Sequence, residues 1–403
     1  MLNINKIRSD FPIFDSNPGM VYLDSAATSQ KPQSVIDAVT EFYSYKNANV
    51  ARGLYGLAED ATIAYEEVRE KVRKFINAED RSEIIFTQNT THSVNTIMRG
   101  WGEKFIKKGD KIVVTVAEHH SNFVPWQFLA KTKKARLEVV EIDTEGEIDL
   151  ADFEKKCKGS NLVSVSHVSN VLGTVNDIKN LGRIAHEHGA IFVIDGAQSV
   201  PSIITNVQKF DCDFLTFSGH KMLAPFGVGV LYGKEEILES MDPAFYGSQM
   251  IRTVDVKKSE WNDLPYKFET GTPEVASVVG LGAAIDYLNQ IGMENVHVAE
   301  TKLTAYLLSK LSTTKDIAIL GSTDPKKRNG LVSFTIKGVH PHDVSAMLAE
   351  SNICVRSGHH CAMPIHERLG VAASTRASVY VYNTKEDIDV LADKLEKIKK
   401  IFK

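Results

Sequence analysis

The sequence predicts an α/β protein: a large domain on a mainly parallel β-sheet, followed by a smaller α+β C-terminal domain. Three observations carry this. Strand-like and helix-like patterns alternate through most of the chain. Several strand-like stretches are nearly continuous apolar runs, as expected of strands buried on both faces. After about residue 270 the alternation gives way to two long helical patterns and then a mixture of short strands and helices, the sign of a second, α+β unit. At 403 residues the chain also exceeds the size of a typical single core.

In chain order, "SEIIFTQ", "KIVVTVAE", "ARLEVVEID", "NLVSVSHVS", "AIFVIDGAQ" and "FDCDFLTFS" read as strands. Between them, "TTHSVNTIMRGWGEKFI" and "IKNLGRIAHEHG" read as helices, the latter stopped by Gly189. A loop containing Pro225, Gly227 and Gly229 follows Lys221. "PEVASVVGLGAAIDYLNQIG" and "VHVAETKLTAYLLSKLSTT" read as long helices. Strands at "GLVSFTIKG", "ICVRSG" and "RASVYVYNT", a helix at "HDVSAMLAE" and a final helix complete the chain.

Composition excludes several classes. The net charge of −4 (47 basic against 51 acidic residues) argues against nucleic-acid binding spread over the fold. The basic end "KLEKIKKIFK" reads as a solvated helix with one apolar stripe rather than a membrane-surface helix. No apolar run is long enough to span a bilayer, and the first residues lack a signal-peptide core. The four cysteines form no C-x-x-C pair and are too few for a disulfide framework. The expectation is a cytoplasmic protein with no nucleic-acid or membrane partner.

In open α/β sheets, ligands sit beyond the carboxyl ends of the strands, so the residues there are the candidates. His119 and His120 follow "KIVVTVAE", and Asn170 follows "NLVSVSHVS". Asp195 ends "AIFVID", with Gln198 three residues on; Ser218, His220 and Lys221 follow "FLTF". In one sheet they converge on one rim. Thr90 and Thr91 open a helix after "IIFTQ". Such a helix start favours phosphate, but it also reads as a plain N-cap. Asp195 equally reads as a turn residue and Lys221 as a surface lysine. Taken together, a lysine, an aspartate and a phosphate cradle fit pyridoxal 5'-phosphate. Its aldehyde needs an amine, and its pyridine nitrogen needs a carboxylate partner.

The stretch "RSGHHCAMP" sets Cys361 in a Gly/Pro-bounded loop behind Arg356, His359 and His360. Neighbouring cationic groups make a cysteine sulfur a better nucleophile. A buried structural cysteine is the competing reading, and the better one for Cys157, Cys212 and Cys354. A metal site is disfavoured, because three consecutive ligands do not easily surround one ion. Arg376 reads either as a carboxylate clamp or as half of an ion pair.

The motifs "SGHK", "DGAQ", "HVSNVLGT", "EHHSNFVPW", "FETGTPE" and "RSGHHCAMP" resemble those of the Suf-type (group II) cysteine desulfurases of the aminotransferase class V family. The resemblance runs from "DFPIF" to the last helix. It implies a type I pyridoxal-phosphate (aspartate aminotransferase-like) fold. Residues 1–20 would pack on the small domain, 21–270 would form the cofactor domain and 271–403 the small domain carrying the cysteine loop. It implies Lys221 as the lysine that carries the cofactor, Asp195 as partner of the pyridine nitrogen, and His119 stacked on the ring. Gln198 and Asn170 would also contact the cofactor. Thr91, Ser218 and His220 would hold its phosphate, joined by Thr272 of a neighbouring subunit in a homodimer. Arg376 and Asn170 would bind the substrate carboxylate, with Arg356 at the root of the cysteine loop and Arg52 approaching across the dimer. Cys361 would take sulfur from L-cysteine as a persulfide, leaving L-alanine. The persulfide would pass to a Suf-type acceptor and a scaffold for iron–sulfur cluster assembly. A selenocysteine lyase acting on L-selenocysteine is the alternative, and a class V aminotransferase a further one. Ala51, Tyr55, His92 and the stretch from Tyr246 through Gly247 to Ser248 depart from the usual pattern of the family.

Overall fold

The computed structural model describes residues 3–51, 53–143 and 145–402. Seven strands form the large sheet: β1 Ile84–Thr87, β2 Lys111–Thr115, β3 Arg136–Val140, β4 Leu162–Ser166, β5 Ile191–Asp195, β6 Phe214–Ser218 and β7 Gly229–Gly233. Their order is β1-β7-β6-β5-β4-β2-β3. β3, β2, β4, β5 and β6 run parallel, and β7 is antiparallel to both β6 and β1. Every residue of β4, β6 and β7 is buried, as expected of strands covered on both faces. β7 falls where the sequence suggests a glycine-rich loop. Gly229 is required there by packing, since a Cβ on it would lie 2.6 Å from the Asn89 Cα. That close approach lets the turn after β1 sit directly against β7.

The helices that matter for the site are α1 Gln33–Glu41, α2 Gly56–Ile76, α3 Thr90–Ile97, α4 Ile178–Glu187, α5 Val275–Ile291, α6 Met293–Thr313, α7 Pro341–Ala349 and α8 Lys385–Ile401. The expected helix over 90–106 begins as α3 but widens into a π-helical turn at Met98–Gly102. Gly100 and Gly102 sit there because a Cβ would collide with Asp242 O and Leu129. α5 packs on α1 and α2, on the side of the large sheet.

A second sheet of four antiparallel strands follows: β8 Ile317–Ile319, β9 Leu331–Ile336, β10 Arg356–Gly358 and β11 Ser374–Ser378, in the order β8-β9-β11-β10. α6, α7 and α8 bury their apolar stripes against it. The expected strand "ICVRSG" divides in two. Ile353–Cys354 pairs with Val21–Tyr22, and Arg356–Gly358 joins the second sheet. β11 stops at Ser378 because the Tyr380 N–H turns to the Asn383 side chain (2.8 Å) instead of a strand.

Ahead of these elements, Arg8 donates to Asp387 Oδ2 of α8 and to Tyr382 O (both 3.0 Å). Phe11 is fully buried between the rings of Tyr287 on α5 and Tyr382. The N-terminal segment thus bridges the two sheet regions. A small apolar cluster also joins them. Ala362 and Ile365, just beyond Cys361, pack with Val116, Ala117, Val171 and Leu172 from the ends of β2 and β4.

Candidate active site

A cavity of about 320 Å³ opens at the carboxyl ends of β2, β4, β5 and β6, roofed by the second sheet. Its wall includes Thr91, His119, Asn170, Asp195, Gln198, Ser218, His220, Lys221, Arg356, Cys361 and Arg376. The structure therefore brings together nearly all of the residues expected from the sequence. Two are not brought in. Thr272 lies on an exposed turn and is absent from the wall, and Arg52 lies outside the described residues.

Lys221 follows β6 in a short 3-10 turn, Gly219–Lys221. Burial, aided by the Arg376 and Arg356 guanidiniums, pushes its amine down to about 8 against the opposing pull of Asp195. Asp195 ends β5, 4% exposed, and accepts from the Ala197 N–H at 2.9 Å. Burial raises its carboxyl above the usual range, while the Ala197 N–H and Lys221 counter this. His119 accepts at Nδ1 from the Ser121 N–H (3.1 Å), so the neutral ring carries its proton on Nε2. Burial, then Lys221, His120, Arg376 and Arg356, drives this imidazole down to about 3. It is neutral throughout the physiological range.

At the other end of the cavity, Asn89 caps α3 by accepting from the His92 N–H (3.0 Å). The Thr90 N–H donates to Ser218 Oγ at 2.9 Å, and Thr91 Oγ1 meets Ser121 Oγ at 2.6 Å. His220 stacks on Phe226 (ring centroids 5.4 Å apart), and its buried Nδ1 has no partner among the described residues. Its carbonyl accepts from Ser29 N–H, Thr28 Oγ1, Ser29 Oγ and Lys31 Nζ at 3.0–3.1 Å, which pins the peptide leading into Lys221.

The roof is set by register. Arg356 on β10 lies directly opposite Arg376 on β11. Arg376, 2% exposed, donates to Asn170 O (2.8 Å) and to Asp24 Oδ1 (3.4 Å), and its buried Nε has no partner among the described residues. Burial lowers its guanidinium to about 10. Arg356 Nη2 approaches Cys361 Sγ at 3.8 Å. His360 and Cys361 both adopt positive φ (51° and 59°), a sparsely populated backbone for residues with side chains.

Sequence reasoning placed His120 and Asn170 on the rim but did not give them the support of this loop, and it did not single out Ser374, His366 or Glu118. Cys361 O accepts from the His120 N–H (2.7 Å), and the Met363 N–H donates to His120 Nε2 (3.0 Å). Asn170 Nδ2 donates to His360 O (2.7 Å). Beneath, Ser374 Oγ bridges His360 Nε2 (3.0 Å) and His366 Nε2 (2.9 Å). Glu118 is also buried, bonded to Thr115 Oγ1 (2.6 Å) and Asn122 Nδ2 (2.7 Å), and fixes the turn that carries His119. Of the pair in "EHHSN", His119 lines the cavity and His120 braces the Cys361 loop, a division no local pattern in the sequence shows. Among the departures from the family pattern, His92 accepts the Gln88 N–H (3.1 Å) and packs on Phe245, while Tyr246 is exposed against Trp261.

No described helix is long and apolar enough to cross a membrane. The arrangement offers a suppressed lysine, a buried carboxylate, an anion-receptive helix start, an unpaired guanidinium donor and a thiol on one cavity.

Comparison with known proteins accords with that chemistry. Residues 21–391 match the model of the aminotransferase class-V family. A probable cysteine desulfurase of Halalkalibacterium halodurans is 48% identical over 405 residues, covering 100% of this chain and 99% of that one. A cysteine desulfurase of Haloferax volcanii is 44% identical, covering 100% of this chain and 98% of its own length. The apo structure of the cysteine desulfurase from Thermococcus onnurineus superposes with a TM-score of 0.95 at 42% identity, over 99% of each chain. That of the cysteine desulfurase CsdA from Escherichia coli gives 0.93 at 34%, over 100% of each. The chain belongs to the aminotransferase class-V family and stands among its cysteine desulfurases.

Proposed function

We propose that the chain takes the sulfur of L-cysteine onto Cys361, releasing L-alanine, with pyridoxal 5'-phosphate held on Lys221. The observation that carries this reading is the presence of Lys221, Asp195 and Cys361 on one cavity wall beneath the Arg376 guanidinium. The residues fit the cofactor. His220 Nδ1 is a buried, unpartnered polar atom beside Ser218 and the start of α3, where a phosphate would find donors. Asp195 supplies the buried carboxylate for a pyridinium nitrogen. When bound, the cofactor supplies an aldehyde for the amine and a ring that takes up electrons from the substrate's α-carbon.

The chain's own groups do the rest. Arg376 has a free buried Nε to grip the substrate carboxylate, and Asn170 stands beside it. The suppressed Lys221 amine serves as base for the α-proton near neutral pH. His119, neutral with its proton on Nε2, donates within the cavity. Cys361 Sγ attacks the substrate sulfur. The carbon–sulfur bond breaks, a sulfur–sulfur bond forms, and the electron pair left on carbon is protonated as alanine forms. Arg356, 3.8 Å from Sγ, stabilises the sulfur anion before attack.

As part of this reading the enzyme is a homodimer. Phe226 lines the cavity yet is 66% exposed, and the surface elsewhere carries Tyr45 (77%) and Leu54 (95%), apolar side chains for a second copy to cover. Thr272 and Arg52 would then reach the site across that interface. The persulfide would leave to a Suf-type acceptor feeding a cluster scaffold, in keeping with the partial exposure of Cys361 on the cavity wall. The test is mass spectrometry after exposure to L-cysteine, with and without Cys361→Ser. One added sulfur on Cys361 is expected. The serine variant should keep its bound chromophore and lose sulfur release. Unchanged turnover in that variant would overturn the proposal.

A further inference from the structure

A second, much smaller cavity of about 20 Å³ lies behind Lys221. Its wall combines Ala26, Gln198 and Lys221, shared with the site, with Ser202, Glu300, Asn329 and Tyr380. Glu300, on α6, is 5% exposed, and the mechanism above makes no use of it. Its Oε1 accepts from Asn329 Nδ2 (3.0 Å), which also reaches Ser202 Oγ (2.8 Å). Glu300 Oε2 and Asn329 Oδ1 are both buried and have no partner among the described residues. The fold makes room for this carboxyl: Gly330, at φ 72°, passes so close that a Cβ would meet Glu300 Oε1. Thr304 secures the same corner, donating to Glu300 O (2.8 Å) and accepting from the Gly330 N–H (3.0 Å).

Unpaired polar atoms around a void are the usual mark of an internal water, which needs at least about 10–15 Å³ and two to four polar partners. This void meets both conditions. We propose that it holds a water and that Glu300, as a neutral carboxylic acid, exchanges a proton through that water with the Lys221 amine. The step is balanced: the proton leaves Glu300 Oε2, the water accepts it and passes one of its own to Lys221 Nζ, and carboxylate and ammonium result. Glu300 touches neither substrate nor cofactor, so it is a positioning residue for the Lys221 proton.

The electrostatics support the exchange. Burial raises the Glu300 carboxyl to about 8, opposed by the neighbouring Ser202 hydroxyl. Lys221 is held at about 8 as well, so a proton passes between them at little cost. From the other elements, Tyr380, Tyr382, Ser202 and Asn329 also face Glu300. Both phenols are held well above their ordinary range by burial, and so remain neutral.

This rests on reading Lys221 as the cofactor lysine, but its test separates the two. Borohydride fixation of the cofactor on Lys221 tests that reading alone. For the inference, a high-resolution crystal structure of the wild-type holoenzyme should show a water in the void. Its infrared spectrum should show a protonated-carboxyl band that fades as pH rises through about 8, by the shift of a desolvated carboxyl. An empty void or no such band overturns the inference, and neither measurement needs a variant. Glu300→Gln keeps the shape and removes the exchangeable proton. It should abolish the band and, with α-deuterated L-cysteine, raise the fraction of deuterium returned to alanine. Unchanged return would also overturn it, since a merely structural glutamate would not move that fraction.

Discussion

Lys221 differs chemically from a surface lysine because the protein has removed its water. With an amine at about 8, about a tenth is neutral at pH 7, against roughly one in a few thousand for a free lysine near 10.4. The suppression has a definite pH signature. Below its pKa the amine is protonated and unreactive towards an aldehyde; as pH rises through that value the reactive form saturates. Labelling of Lys221 by pyridoxal and borohydride should therefore climb about tenfold between pH 7 and pH 9 and then level off. An unsuppressed lysine would climb about a hundredfold over the same range with no plateau. A profile of the second kind would show that Asp195 outweighs desolvation and the two guanidiniums. His119 will not interfere, because its imidazole at about 3 does not titrate in this window.

On the proposed reading, the element that would carry the sulfur chemistry is the turn from β10 to Met363, and it is held in a backbone that two of its residues resist. Strain of about 1–3 kcal/mol per residue persists only where the surroundings over-determine it. Here His120, Asn170 and Ser374 provide that support. Burial and the neighbouring His359 hold the His120 ring below its ordinary pKa. Its Nε2 stays an acceptor at neutral pH and loses that capacity only in acid. His120→Ala removes the partner of the Met363 N–H while leaving the backbone bond to Cys361 O. At about 1 kcal/mol for one hydrogen bond, exchange of the Met363 amide should quicken about fivefold, with sulfur transfer to Cys361 slowed to a similar degree. Hydrogen exchange measured at that amide checks this; an unchanged rate would mean that the bond does not hold the turn. Such support was invisible in the sequence for a physical reason. Strand ends announce themselves by apolar runs that stop at polar residues, so Asp195, Lys221 and Asn170 could be placed on one rim. The partners of the turn around Cys361 lie 190 and more positions away along the chain in the case of Asn170 (to His360 O) and His120 (from the Met363 N–H), where no local pattern links them. β7 escaped for a related reason: its glycines serve close packing against Asn89, while glycine locally signals a loop.

The same distance effect operates across the molecule. "FETGTPE" reads as a motif, and the structure shows what its glutamate does. Glu269 receives both terminal nitrogens of the fully buried Arg69 (2.7 and 3.0 Å), the Tyr65 hydroxyl (3.1 Å) and the Phe86 N–H of β1 (2.8 Å). That network ties α2, β1 and the segment leading to Thr272 into one rigid frame. The turn bearing Thr272 is thus exposed, three residues beyond an anchored Glu269. A homodimer with shared sites makes a sharp prediction. If Arg52 of one copy serves the cavity of the other, an Arg52→Ala homodimer and a Cys361→Ala homodimer each lack one essential group in both sites. A mixed dimer contains one site lacking both groups and one lacking neither. After exchange of equal amounts of the two variants, half the dimers are mixed and each has one intact site, so activity should recover to about a quarter of wild type. Sites complete within one copy would give no recovery, because every cavity would still carry one of the two lesions. Exchange itself is verified by mass spectrometry of differently tagged chains, so that a failure to recover activity is read against mixed dimers known to have formed.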